Sequence, residues 1–111
     1  MEVDKFMQLA EKRIGACRLL LAGSKNEEYT RDGDKFHNFR VAAALDGETP
    51  EQALWGMWKK HIVSVRDMVH DIEAGRIPTE KTIDDKMTDM INYTLLMEGL
   101  IEERRKEKGD A

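Results

Sequence analysis

Apolar residues recur at intervals of four and three in three separate stretches of this chain. Val3, Met7, Ala10, Ile14, Cys17 and Leu21 follow that spacing in residues 2–22. Leu54, Trp58, His61, Val65, Met68 and Ile72 follow it in residues 50–74, with Trp55, Ile62 and Val69 widening the stripe. Ile83, Met87, Met90, Thr94, Met97 and Ile101 repeat it in residues 79–105. Positions three, four and seven apart share one face of an α-helix, so the pattern predicts three long amphipathic helices. No stretch alternates with period two, and no strand is expected. Local chemistry sets the boundaries. Gly23-Ser24 ends the first helix. Thr49-Pro50-Glu51-Gln52 starts the second, with a Thr cap, Pro in the first turn and Gln at the capping-box position. Gly75 and Pro78 end it, and Thr82 is the expected cap of the third, with Asp85 three residues on.

Residues 24–49 are less regular. Asp32-Gly33 and Asp46-Gly47 mark turns. Between them Asp34 is expected to cap a short helix carrying Phe36, Phe39, Ala43 and Leu45. The stretch exceeds an ordinary connection and holds Tyr29, Phe36 and Phe39, which points to an ordered lid. Lys25, Arg31, Lys35, His37, Asn38 and Arg40 give it donors for phosphate or a base edge. The expected fold is therefore all-α: an antiparallel bundle of three long helices plus one short helix. It forms a single domain over residues 1–105, with 106–111 a disordered charged tail. The widened stripes leave surplus apolar surface, so a homodimer or larger homo-oligomer is expected.

Composition narrows the partners. The net charge is −4 and no basic block stands alone, which argues against a nucleic-acid polymer but not against a single nucleotide. Cys17 is the only cysteine, so a disulfide framework and a cysteine zinc site are excluded. Charged residues interrupt the first residues early, and no apolar run reaches the roughly 18 residues of a membrane span. A cytoplasmic protein without a membrane partner is expected.

The last helix carries the candidate chemistry. Asp85, Asp89 and Asn92 lie one turn apart, roughly opposite its apolar stripe. The same line then continues as Leu96 and Gly99, with Tyr93 and Leu100 beside it, so this face turns apolar halfway. A merely solvated face stays polar; this one reads as the mouth of a second packed surface. Two carboxylates at about 4 Å repel by up to roughly 4 kcal/mol at an effective dielectric near 20, so a partly buried pair needs a cation. Lys, Arg, protonated His and a metal ion all qualify. Mg²⁺ suits carboxylates on facing helices, with Glu27, Glu28, Glu48 or Glu51 able to complete a set that Asp85 and Asp89 only begin. His61 is the one ionisable group in a core row, and a facing acid is its obvious partner.

Four segments, KNEEY (25–29), DKFHNF (34–39), WKKHIVSVRD (58–67) and DDKMTDMINYTLL (84–96), occur in this order. Together they resemble a phage-type family, the nucleotide modification associated domain, first of that name. The resemblance covers roughly residues 25–100 and puts weight on Lys25, Tyr29, Asn38, Phe39, Lys60, His61, Asp85, Asp89, Asn92 and Tyr93. Thr30 stands where the family has Gly. Lys60 enters through the resemblance alone, since periodicity puts it outside. The final helix is also similar to that of MazG-type nucleoside triphosphate pyrophosphatases, which hold Mg²⁺ with Glu-x-x-Glu and Glu-x-x-Asp. Here Lys86 occupies the first acid of the second motif, and the only Glu-x-x-Glu, Glu48 to Glu51, lies at a helix start.

These readings imply a nucleotide-binding helical protein, with a Mg²⁺-dependent pyrophosphatase as its enzymatic form. In it Asp85 and Asp89 hold the metal, His61 and Lys60 act at the phosphates, and Lys25, Tyr29, Asn38, Arg40, Asn92 and Tyr93 bind the nucleotide. The alternative is a protein that sequesters a nucleotide without cutting it, in the host cytoplasm if phage-encoded. A third reading makes the Asp and His residues internal ion pairs of a structural or interaction bundle.

Overall fold

The computed structural model describes residues 1–22 and 34–109. All four elements among these residues are α-helices: α1 (Val3–Ala22), α2 (His37–Asp46), α3 (Pro50–Glu73) and α4 (Glu80–Glu107). Local signals set most of the ends. Gly47 closes α2 with φ 66° and Gly75 follows α3 with φ 86°, a backbone state that glycine adopts without a Cβ penalty. Thr49 and Gln52 form the expected capping box at the start of α3, with Pro50 inside the first turn. Asp34 acts one step earlier than a cap. Its carboxylate accepts from Phe36 N at 3.0 Å, and Phe36 is the residue that precedes α2. The cap of α4 is Thr79 rather than Thr82. Its hydroxyl accepts from Thr82 N at 3.2 Å, one turn earlier than the sequence suggested. The helix also runs to Glu107, two residues past its expected end.

The helices associate as a series. α3 and α4 form an antiparallel hairpin, joined by the turn at 74–79; Glu51 meets Arg104, and Ser64 meets Lys86. α2 packs on α3, and α1 packs on α4 alone. Contacts between α1 and α4 rise together along both helices. Lys12 lies near Glu80, Arg13 reaches Asp84, and Cys17 reaches Thr88, so the two run in the same direction. The first turns of α1 thus project about 10 Å beyond the start of α4, at 1.5 Å per residue. This explains why Val3 and Met7 are exposed although they belong to an apolar stripe, and Phe6 beside them. Lys35 closes the other end of α1 by donating to the Leu21 carbonyl at 2.5 Å, a favourable place for a cation. Burial lowers the Lys35 pKa from its ordinary value.

Phe39, Leu54, Tyr93, Leu96 and Leu100 form the core, with Phe36, Trp58 and Met97 packed against it. It sits between α2, α3 and the C-terminal half of α4. The buried side of α4 comprises Thr88, Asn92, Tyr93, Leu96 and Leu100, which is the half-polar line and not the periodic apolar stripe. Ile83, Thr94 and Ile101 of that stripe are exposed. The reason is the number of neighbours. Thr88 faces α1, the Phe36 ring sits over Gly99, and Tyr93 faces His61 of α3. With three elements on that side, the opposite stripe is left uncovered.

Candidate functional site

Asp85 and Asp89 line a cleft of about 490 Å³ between α1 and α4, together with Ala16, Leu20, Asp84 and Thr88. α1 supplies the apolar wall and α4 the polar one. Each acid in this cleft meets a basic side chain of the protein itself. Asp84 takes the guanidinium of Arg13 in a short hydrogen bond, with Lys12 at 3.9 Å. Asp85 accepts from Lys81, one turn earlier, at 2.8 Å. Asp89 faces His61 of α3, Oδ2 to Nδ1 at 3.5 Å. The three carboxylates are therefore met from three helices, α1, α4 and α3.

Arg13 is the deepest of these cations, with 8% of its surface exposed. Besides Asp84 it donates to the Asp84 carbonyl at 3.1 Å and to Thr88 Oγ1 at 2.9 Å. Its hydrogen bond, supported by the charges of Lys12 and Arg13, holds the Asp84 carboxyl below the usual range against some desolvation. The sequence reading passed over Arg13. A signal existed: Arg13 lies three residues after Ala10 and four before Cys17, on the inward face of α1. Cys17 is buried, as its stripe implied. Burial raises its thiol pKa; Arg13 opposes and Asp89 adds to the rise.

His61 does have the facing acid expected for it, and its ring also lies on Tyr93, with centroids 4.7 Å apart and planes at 36°. Lys86 donates to Ser64 at 3.1 Å, tying the hairpin together on the same level. Lys60, one residue from His61, is exposed, as its place off the apolar stripe of α3 implies.

Asn92 is 5% exposed, and its Oδ1 atom is buried with no hydrogen-bond partner. Trp58 Nε1 is in the same condition. The hairpin register, in which residue 61 meets 89 and 93, brings position 58 opposite the 92–96 segment. One buried acceptor on α4 and one buried donor on α3 thus stand uncommitted. Leaving such a group unpaired costs about 1–3 kcal/mol, so natural proteins rarely keep one.

Arg40 belongs to a different place. It pairs with Glu103 in a short contact and with Asp34 at 3.4 Å, and lies 6.0 Å over the Phe36 ring. Beside it Arg104 grips Glu51 through both carboxylate oxygens, at 3.2 and 2.8 Å. That hydrogen bond lowers the Glu51 pKa, against desolvation. A small cleft of about 220 Å³ lies among these four side chains. It is roughly 21 Å along α4 from Asp89, at 1.5 Å per residue. Arg40 therefore does not join the acid cleft, and Glu51 is not available to complete a ligand set there. Glu48 is exposed beyond the start of α3. Asn38 is half-buried in the first turn of α2. Lys25, Tyr29, Glu27 and Glu28 lie outside the described residues. Among the described residues no three His, Cys, Asp or Glu side chains gather into a group able to hold a metal ion. No helix of the described residues is long and apolar enough to cross a membrane. No family model, curated protein or solved structure matches the chain.

Proposed function

We propose that this chain is a nucleotide-binding helical protein that holds its ligand against the α3–α4 seam without hydrolysing it. The observation that carries this reading is the pair of uncommitted buried atoms, Asn92 Oδ1 and Trp58 Nε1. A nucleobase edge carries both donors and acceptors, the complement that these two atoms lack. The resemblance to the phage-type nucleotide family supports the same ligand class and adds Lys25 and Tyr29 from the segment before α2. Sequestration is preferred to hydrolysis because the acids are already balanced. Asp85 is bound to Lys81 and Asp89 faces His61, so Mg²⁺ must displace both partners to use these carboxylates. If it does, two carboxylates leave most of its octahedron to water and phosphate oxygens, as Mg²⁺ commonly accepts.

A second reading, a structural or interaction bundle, is favoured by the same ion pairs, which complete themselves without any ligand. A mass balance separates the readings. The protein, in molar excess with Mg²⁺, is incubated with mixed nucleoside triphosphates and cyclic nucleotides, and the free pool is measured before and after heat denaturation. Sequestration predicts a nucleotide that disappears and returns intact. Monophosphate plus pyrophosphate would establish a pyrophosphatase instead. An unchanged pool would leave the bundle reading.

A further inference from the structure

The α3–α4 hairpin has a side that no described element covers. α2 approaches the hairpin where Gly99 and Glu103 lie, and α1 approaches α4 at Asp84 and Thr88. The opposite side carries two apolar rows. On α4 it is the stripe Ile83, Met87, Met90, Thr94, Met97 and Ile101; on α3 it is Trp55, Trp58, Ile62, Val65, Val69 and Ile72, with Met97 and Trp58 at its inner edge, also packed against the core. Trp55, Val69, Ile72 and Ile101 keep between 45 and 53% of their surface exposed. Both rows advance by alternate steps of three and four residues. That is the 3.5-residue repeat of a coiled-coil seam, whose knobs fit holes on a partner with the same repeat.

We infer that this face pairs with the same face of a second copy, so that two α3–α4 hairpins close into a four-helix bundle around a two-fold axis. Two observations select a second copy as the occupant. A hairpin with seam residues on both helices is half of a four-helix bundle, and its missing half is another hairpin with the same repeat and length. The two rows are matched: the α4 row spans about 27 Å and the α3 row about 26 Å, at 1.5 Å per residue. Their combined footprint is about 540 Å² in projection, given helices about 10 Å across. The accessible area of a corrugated surface exceeds its projection, which brings it near the roughly 800 Å² per partner of a standard interface. The α1 overhang stays outside this interface, and neither observation involves a nucleotide.

Thr94 is the test position, because it lies mid-stripe and is exposed in the single chain. Its hydroxyl donates only to the Met90 carbonyl, within the helix. Substitutions there leave the fold of one copy intact but act directly on the seam. Sedimentation equilibrium of the full chain should give twice the 12.8 kDa of one copy. Thr94→Arg should weaken association about 100-fold or more, Thr94→Leu should tighten it about tenfold, and Phe6→Glu on the α1 overhang should leave it unchanged. Unchanged circular dichroism in each variant shows that the helices persist. A chain that stays monomeric at about 100 μM, where a standard interface should be occupied, overturns the inference. So does a dimer that Thr94→Arg leaves intact, or one that Phe6→Glu breaks.

Discussion

The Phe36 ring occupies the space that a side chain at position 99 would need. A Cβ added to Gly99 would lie 2.5 Å from Phe36 Cζ. This contact fixes the entry of α2 onto the hairpin and aligns Arg40 with Glu103. Gly99→Ala therefore sets two effects against each other. Alanine improves helix propensity by about 1 kcal/mol, and displacing the ring costs roughly 1–3 kcal/mol. The net expectation is a loss of about 1 kcal/mol in denaturant unfolding. In a Phe36→Ala background the sign should reverse, with Gly99→Ala gaining up to about 1 kcal/mol. A Gly99→Ala that stabilises in both backgrounds would show that the ring moves aside freely.

Arg13 fastens α1 to α4, so its loss should be local. In Arg13→Met, the amides of α1 are expected to exchange about tenfold faster or more, while those of α3 and the C-terminal half of α4 keep their rates. Hydrogen exchange followed by mass spectrometry reads both regions in one sample. Uniform acceleration across all four helices would mean that α1 is part of one cooperative unit.

Two carboxyls, Asp84 and Glu51, are held below their ordinary range by the guanidinium groups of Arg13 and Arg104. A depressed carboxyl pKa contributes stability above the unfolded value, about pH 4, and loses it as pH falls through the folded value. The melting temperature should thus stay level from pH 7 to about pH 5 and fall below about pH 4. Glu51→Gln should flatten part of that fall. A decline already complete at pH 6 would show that these two carboxyls do not govern it.

Asn92 links stability to binding. Asn92→Leu removes a buried carbonyl oxygen that has no partner, and should raise stability by about 1 kcal/mol. If the uncommitted atoms serve a nucleotide, the same variant loses any thermal shift the nucleotide gives the parent chain. A stabilised variant that still responds to nucleotide would move the ligand elsewhere.

The signals that the sequence carried plainly were local ones. The Thr49–Gln52 box, Gly47 and Gly75 act within a turn of themselves, and they sit where their chemistry requires. The Asp89–His61 pairing was also legible, because a histidine in a core row needs a partner. The orientation of α4 was not. A period of 3.5 says that a stripe is apolar, not which neighbour covers it. The line through Asp89, Asn92 and Leu96 became the buried one because α1, α2 and α3 all meet α4 there, and because Arg13 and His61 offset its charge. That choice depends on partners 28 to 75 residues away in sequence, outside any local pattern. Arg40 and Asn92 looked alike as polar candidates. One is engaged by Asp34 and Glu103 at the far end of α4; the other keeps a buried oxygen unpaired.

The series α2–α3–α4–α1 also carries an order of assembly. The hairpin turn at 74–79 joins two helices whose contacts are close in sequence, so its loop-closure cost is small. Arg13 reaches Asp84 only across 71 residues. α1, made before α4, is therefore last to find its place, because Asp84 and Thr88 must emerge before it can dock. Slowing the docking step, and not helix formation, is how a change at Arg13 would delay folding.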